Sequence, residues 1–202
     1  MKTRTRNLII ASIVFSAILG TLFYYNWNRY IETKNLFKEC NDTCCLRFTG
    51  NVIDEKFIGI SYLLNGSFER VENAEFHVVN SVGTEYNITV SGVKLWDILK
   101  IFNLLGDDAK YIRFQSIDGY ITYNFPIRLI RNNPELVLIV THEDGQLLKP
   151  KEKGGDGPLK VAIDYDCIKD DPEMQRIFEE NHQDFVHNSK FNVKNLDTII
   201  VI

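Results

Sequence analysis

The sequence predicts an α+β domain built on a mixed sheet, preceded by one apolar N-terminal helix. Three observations predict this class. Residues 7–28 carry no charge; apolar residues alternate with polar ones in several short runs beyond residue 45; and one segment, residues 93–105, changes to helical spacing. The uncharged run follows Lys2, Arg4 and Arg6. It meets the roughly 20 residues a helix needs to cross the hydrocarbon core of a membrane. Basic residues stay on the cytoplasmic side and interfacial aromatics sit at the membrane edge. Phe23, Tyr24, Tyr25, Trp27 and Tyr30 supply that aromatic belt. The expected organisation is therefore a cytoplasmic N-terminus over residues 1–6, a transmembrane anchor over 7–28, a stalk over 29–45 and an extracytoplasmic domain over 46–202. A cleaved secretory signal is the alternative for the first segment, although bulky aromatics stand where a small-residue cleavage site belongs.

Within the domain, residues 46–50 alternate as a strand, and 57–64 read as a second one ending in an Asn65-Gly66 turn. Residues 76–80 form a third short strand candidate. Val93, Leu95, Trp96, Ile98, Leu99, Phe102 and Leu105 then recur at helical spacing, with Gly106 placed to stop the helix. Residues 110–116 and 120–125 form a hairpin about Asp118-Gly119. Residues 135–140 are apolar without alternation and predict a buried strand, followed by an Asp144-Gly145 turn. A charged, glycine-rich loop over 149–157 leads to the strand 159–163. Residues 164–184 hold eight acids against two bases. Asp171 and Pro172 stand there as cap and first helical residue, ahead of an apolar stripe of Met174, Ile177, Phe178 and Phe185. Residues 196–202 close the chain as a strand within the sheet.

Composition narrows the function. All 27 acidic residues lie after Tyr30 with 19 of the 23 basic ones, a formal charge of −8 on the exported part. Nucleic acid is excluded as a partner, because backbone phosphates call for clustered Lys and Arg. Cys40, Cys44, Cys45 and Cys167 permit disulfides of open connectivity. The Cys-x3-Cys-Cys run lacks the spacing of a zinc site. No Gly-x-Ser-x-Gly elbow marks a hydrolase. His182 and His187 lie five apart in the acidic segment, a spacing that does not share one helical face.

Four motifs in order carry a family resemblance: Ser91-Gly-Val-Lys-Leu-Trp-Asp-Ile-Leu99, Ala109-Lys-Tyr-Ile-Arg-Phe-Gln-Ser-Ile-Asp-Gly-Tyr120, Glu143-Asp-Gly-Gln-Leu-Leu148 and Gly154-Gly-Asp-Gly-Pro-Leu-Lys160, with a C-terminal strand ending in Ile. Together they resemble the oxidoreductase molybdopterin-binding domain of the sulfite oxidase type, over about residues 46–202, with 164–190 as a local elaboration. The resemblance implies that family's mixed α and β fold. It also implies a molybdopterin cofactor whose metal, held by a protein cysteine thiolate, performs oxygen-atom transfer or related two-electron chemistry. In the family that cysteine lies between the second strand region and the first-motif helix. Here residues 76–92 contain none. The arginine of the family's glycine motif is Lys160, which lacks the bidentate fork. The basic stretch that follows it is replaced by Asp164, Asp166, Asp170 and Asp171.

The candidate cofactor- or ligand-binding residues are accordingly His77, Asn80, Asp118, Gly119, Tyr120, Gly155, Gly157 and Lys160. His77 and Asn80 flank the position of the missing cysteine. Asp118, Gly119 and Tyr120 border a ligand site or simply turn a hairpin. The glycines with Lys160 either present N–H groups to an anion or form a plain loop. The expected function is a membrane-anchored module that binds a small-molecule ligand or a membrane protein partner. The alternative is an active molybdopterin oxidoreductase with a non-standard thiolate, Cys45 or Cys167.

Overall fold

The computed structural model describes Gly20, Thr21, Tyr24 and residues 45–150 and 154–202. The rest of the anchor, its cleavage, Cys40 and Cys44 lie outside the described residues, whereas Cys45, expected in the stalk, already belongs to the first strand of the domain. Among the described residues no helix is long and apolar enough to cross a membrane.

Two five-stranded sheets make up the domain. In the first, β1 (Cys45–Gly50) and β10 (Leu196–Val201) pair in parallel at the centre. β2 (Lys56–Gly59) flanks β1, and β5 (Tyr111–Ser116) with β6 (Phe125–Pro126) flanks β10, all antiparallel. The closing strand is thus a central one, as its apolar run predicts. In the second sheet β3 (Arg70–Val79), β4 (Glu85–Lys94) and β7 (Val137–Glu143) are antiparallel neighbours. The far edge of β7 pairs with β9 (Lys160–Ile163) along Val137–Val140 and with β8 (Gln146–Leu147) beyond it. Being flanked on both sides, β7 is buried from Val137 to Thr141, which is why its sequence does not alternate. Phe76, Val90, Leu138, Val140 and Ala162 form the core of this sheet.

Four short helices join the strands: α1 (Ile60–Leu64), α2 (Leu95–Ile101), α3 (Ile127–Asn132) and α4 (Pro172–Glu180). Several expectations are corrected here. The strand at 57–64 ends at Gly59 and becomes α1, whose Tyr62 meets Phe68 edge-on. The helix at 93–105 is only α2. Val93 belongs to β4, where it pairs with Ile139, and Asn103, in the left-handed region at φ 49°, ends the helix before Gly106 is reached. β4 also absorbs Gly92, where an added Cβ would lie 2.2 Å from the Ile139 carbonyl oxygen. Only glycine allows the two strands to approach this closely.

The strand at 76–80 is the end of the longer β3. The arm 120–125 is mostly irregular: Thr122 Oγ1 accepts the Phe114 N–H at 3.0 Å in place of a ladder carbonyl, and Pro126 has no N–H to give. Pro134–Leu136 is a 3-10 turn, so β7 starts at Val137 rather than 135. The Asp144-Gly145 turn is present, both residues having positive φ. Asp171 caps α4 by accepting the Met174 N–H at 3.0 Å, with Pro172 at the first helical position, and Met174, Ile177 and Phe178 are buried. Phe185 lies beyond the helix and is 39% exposed, so it does not extend that stripe.

Candidate functional site

The segment from Asp164 to Lys190 folds over the free edge of β3. It runs as a 3-10 turn (Tyr165–Cys167), α4 and a second 3-10 turn (Asn188–Lys190). An edge strand presents unpaired N–H and C=O groups, and two side chains of this segment satisfy them. Asp164 Oδ2 accepts the His77 N–H at 2.8 Å, and Asn188 Oδ1 accepts the Val79 N–H at 2.8 Å. Asn188 Nδ2 donates in turn to the carbonyls of His77 at 2.8 Å and Ile163 at 2.6 Å. Asn188 is fully buried and joins β3 to the end of β9.

His77 therefore sits on a strand edge already covered. Its Nε2 lies 3.1 Å from Glu85 Oε2, and its ring meets Tyr165 edge-on at 5.3 Å. Asn80 organises the β3–β4 turn, its Oδ1 accepting the Val82 and Thr84 N–H groups at 3.0 and 2.9 Å. Asp118 does the same in its own turn, with Oδ1 accepting from Ser116 Oγ. Gly119 is there in the left-handed region at φ 89°. Tyr120 donates its hydroxyl to the Lys190 carbonyl at 3.0 Å, and burial pushes its phenol pKa up. The turn Asn188–Lys190 thus ties the Tyr120 turn to the His77 strand, bringing two of the three predicted groups to one element.

The third group faces elsewhere. Lys160 is 4% exposed on β9, and its Nζ donates to Glu143 Oε1 at 2.9 Å. The glycine loop folds on itself: the Gly155 N–H goes to the Pro150 carbonyl at 3.2 Å and that of Gly157 to Lys149 at 3.0 Å. Gly157, at φ 101°, leaves no room for a side chain, since a Cβ would lie 2.4 Å from Asn195 Cα. Lys194 Nζ, 2.6 Å from Asp156 Oδ2, closes the loop further.

Cys167 is a free, buried thiol in the turn that packs against β3. Burial, helped by the charges of Asp164 and Asp171, pushes its pKa up to about 12. Such a thiol stays protonated at neutral pH, whereas a metal ligand must be a thiolate. Among the described residues no three His, Cys, Asp or Glu side chains converge as a metal site. His182 and His187 do not: His182 ends α4 in the left-handed region at φ 57°, while His187 is buried, its Nδ1 2.9 Å from Ser189 Oγ.

Asp164, Asn188 and Glu143 are the residues that sequence reasoning missed in these roles. Only Asp164 carried a signal, as an acid where the family pattern has basic residues. Glu143 lies inside a quoted motif, but nothing in that motif aims it at Lys160.

No protein-family model matches the chain, and no curated protein is similar to it in sequence. Its fold is similar to that of the sulfane dehydrogenase SoxCD from Paracoccus pantotrophus, with a TM-score of 0.55 at 13% identity over 81% of this chain. The likeness spans 39% of the SoxCD chain. At this identity it is a likeness of fold, and it supports the fold implied by the sequence motifs. Among the described residues, the predicted site residues do not fit a molybdopterin. Its phosphate would need open N–H groups and a free cation, and the Gly155 and Gly157 N–H groups and Lys160 are satisfied within the chain. Its metal would need an open cysteine sulfur, and Cys167, the cysteine whose side chain is described, is buried.

Proposed function

We propose that this chain is a membrane-anchored extracytoplasmic protein whose oxidoreductase-like domain works as a partner-binding module without molybdopterin chemistry. The observation that carries this reading is the Lys160–Glu143 pair. Lys160 at the entrance of β9, where the family resemblance would look for a phosphate contact, is buried and neutralised by a carboxylate. The uncharged run at residues 7–28 supports the anchor, and the net negative charge beyond it argues against nucleic acid. An active oxidoreductase with Cys45 or Cys167 as a replacement thiolate is the competing reading, and the burial of Cys167 speaks against that one of the two.

The test is analysis of molybdenum, tungsten and oxidised-pterin fluorescence on the full-length chain, purified from a host that makes the cofactor. Folded protein free of metal and pterin is expected. Stoichiometric metal with pterin would overturn the module reading.

A further inference from the structure

α4 ends at Glu180, and the left-handed His182 then reverses the chain, its N–H returning to the Glu179 carbonyl at 3.0 Å and that of Gln183 to Phe178 at 2.9 Å. The reversal carries residues 183–186 back beside the helix and leaves a cleft of about 290 Å³ between them and the turn at Tyr165. Tyr165 and Phe185 supply its aromatic surface above the buried Phe178, and Glu179 and Asp184 its charge. Among the described residues neither of these two carboxylates has a hydrogen-bond or ion-pair partner. Lys169, the cation in the lining, is already bound to Asp166 at 2.7 Å. The other carboxylates of α4 are likewise answered, Glu173 by Arg128 and Glu180 by Arg176. On one side the apolar surface continues outward. Gly83 at the β3–β4 tip faces the Phe185 ring, and neighbouring Val82 is 79% exposed.

Aromatic rings beside unpaired carboxylates are what an ammonium or guanidinium group needs, through ring quadrupole and charge-assisted hydrogen bonds together. The volume lies just below the roughly 300–1,000 Å³ of sites for cofactors and drug-sized ligands, and is of the size a single long side chain fills. We propose that this cleft receives a Lys or Arg side chain of a protein partner, with Phe185 and Val82 covering an adjacent apolar residue. The assignment deepens the module reading and rests on it: it names the chemistry of the partner. Arg is a recurrent anchor of protein interfaces, and a cation seated between rings and acids loses little to salt when its neighbours exclude water.

The probe is the peptide acetyl-Ala-Leu-Arg-Leu-Ala-amide, titrated into the full-length 15N-labelled chain. Saturable shifts of the Glu179, Asp184 and Phe185 amides are expected. The Glu179→Gln/Asp184→Asn variant, altered at two exposed positions, should keep the native spectrum and weaken binding at least fivefold. The peptide with norleucine in place of arginine should give no saturable shift. Shifts that map elsewhere, or an affinity unchanged in the variant, would overturn the site. Equal affinity for free arginine amide would overturn the protein partner in favour of a small organic cation. The peptide result decides the cleft, and the metal analysis decides the module reading separately.

Discussion

Removing either member of the Lys160–Glu143 pair tests whether that lysine is spent on structure. At the observed 2.9 Å, an effective dielectric of about 20 gives an attraction of about 6 kcal/mol. Desolvation of the ammonium offsets much of it, so the pair contributes little net stability, yet losing one partner of a buried pair typically costs about 3–5 kcal/mol. Here the two ends differ: the Lys160 side chain is 5% exposed and that of Glu143 is 23%. Glu143→Gln strands a buried cation and should cost about 3 kcal/mol, near the lower bound of that range. Lys160→Met leaves a carboxylate that water can reach and should cost about 1–2 kcal/mol by the same reasoning. The double variant removes both charges and should cost no more than about 1 kcal/mol, giving a coupling of roughly 3–5 kcal/mol. Urea unfolding of the four proteins measures the cycle. A coupling below about 0.5 kcal/mol, the scatter of independent sites, would mean that the ammonium is not held by Glu143. The lysine would then be available to an anion, and the main support of the proposed function would be gone.

Asn188→Ala strips partners from the Val79 N–H and from the His77 and Ile163 carbonyls at a fully buried position. At about 1–3 kcal/mol per stranded group it should cost 3 kcal/mol or more, with faster hydrogen exchange at the Val79 amide; unchanged exchange there would refute the edge-covering role. Burial, with a smaller contribution from Lys190, lowers the His187 pKa below the ordinary 6.5. The unfolded chain therefore takes up the proton first, and stability should fall as pH drops below about 6.5, levelling off below the folded-state pKa. Comparing thermal unfolding with His187→Gln isolates this contribution, and parallel pH profiles would contradict it. Cys167 should resist iodoacetamide in the folded protein and react in 8 M urea, as read by peptide mass mapping. Rapid labelling under native conditions would show that the thiol is not buried.

Legibility differed from element to element for physical reasons. β7 was readable because burial on both faces demands an unbroken apolar run, β10 because Ile199 to Val201 are apolar and β-branched, and α4 because its cap, proline and stripe are local signals that agree. The Glu85–Lys94 strand was not, since its first half is exposed and polar, and its second half carries the apolar residues that also fit a helix. Pairing with β3 on one side and β7 on the other decides that Val93 is extended. Among the candidate site residues, Asp118 and Gly119 were legible as turn formers and act as such, whereas Asn80, read as the end of a strand, organises the β3–β4 turn. The positions of His77, Tyr120 and Lys160 were readable, but their partners, between 8 and 111 residues away, were not.

By itself, the sequence determined the class of the fold, the motif order that fits a sulfite-oxidase-type domain, the negative charge of residues 31–202 and the absence of a cysteine where that family places its metal ligand. These are properties of composition and of short-range periodicity, which need no neighbour to be defined. Tertiary structure alone decided that Lys160 meets Glu143, that Asp164 and Asn188 close the β3 edge and that a cleft with two unpaired carboxylates opens beside α4. Each depends on which distant groups share a buried space, and a charge or a polar edge is satisfied by whichever partner the fold brings within 3 Å.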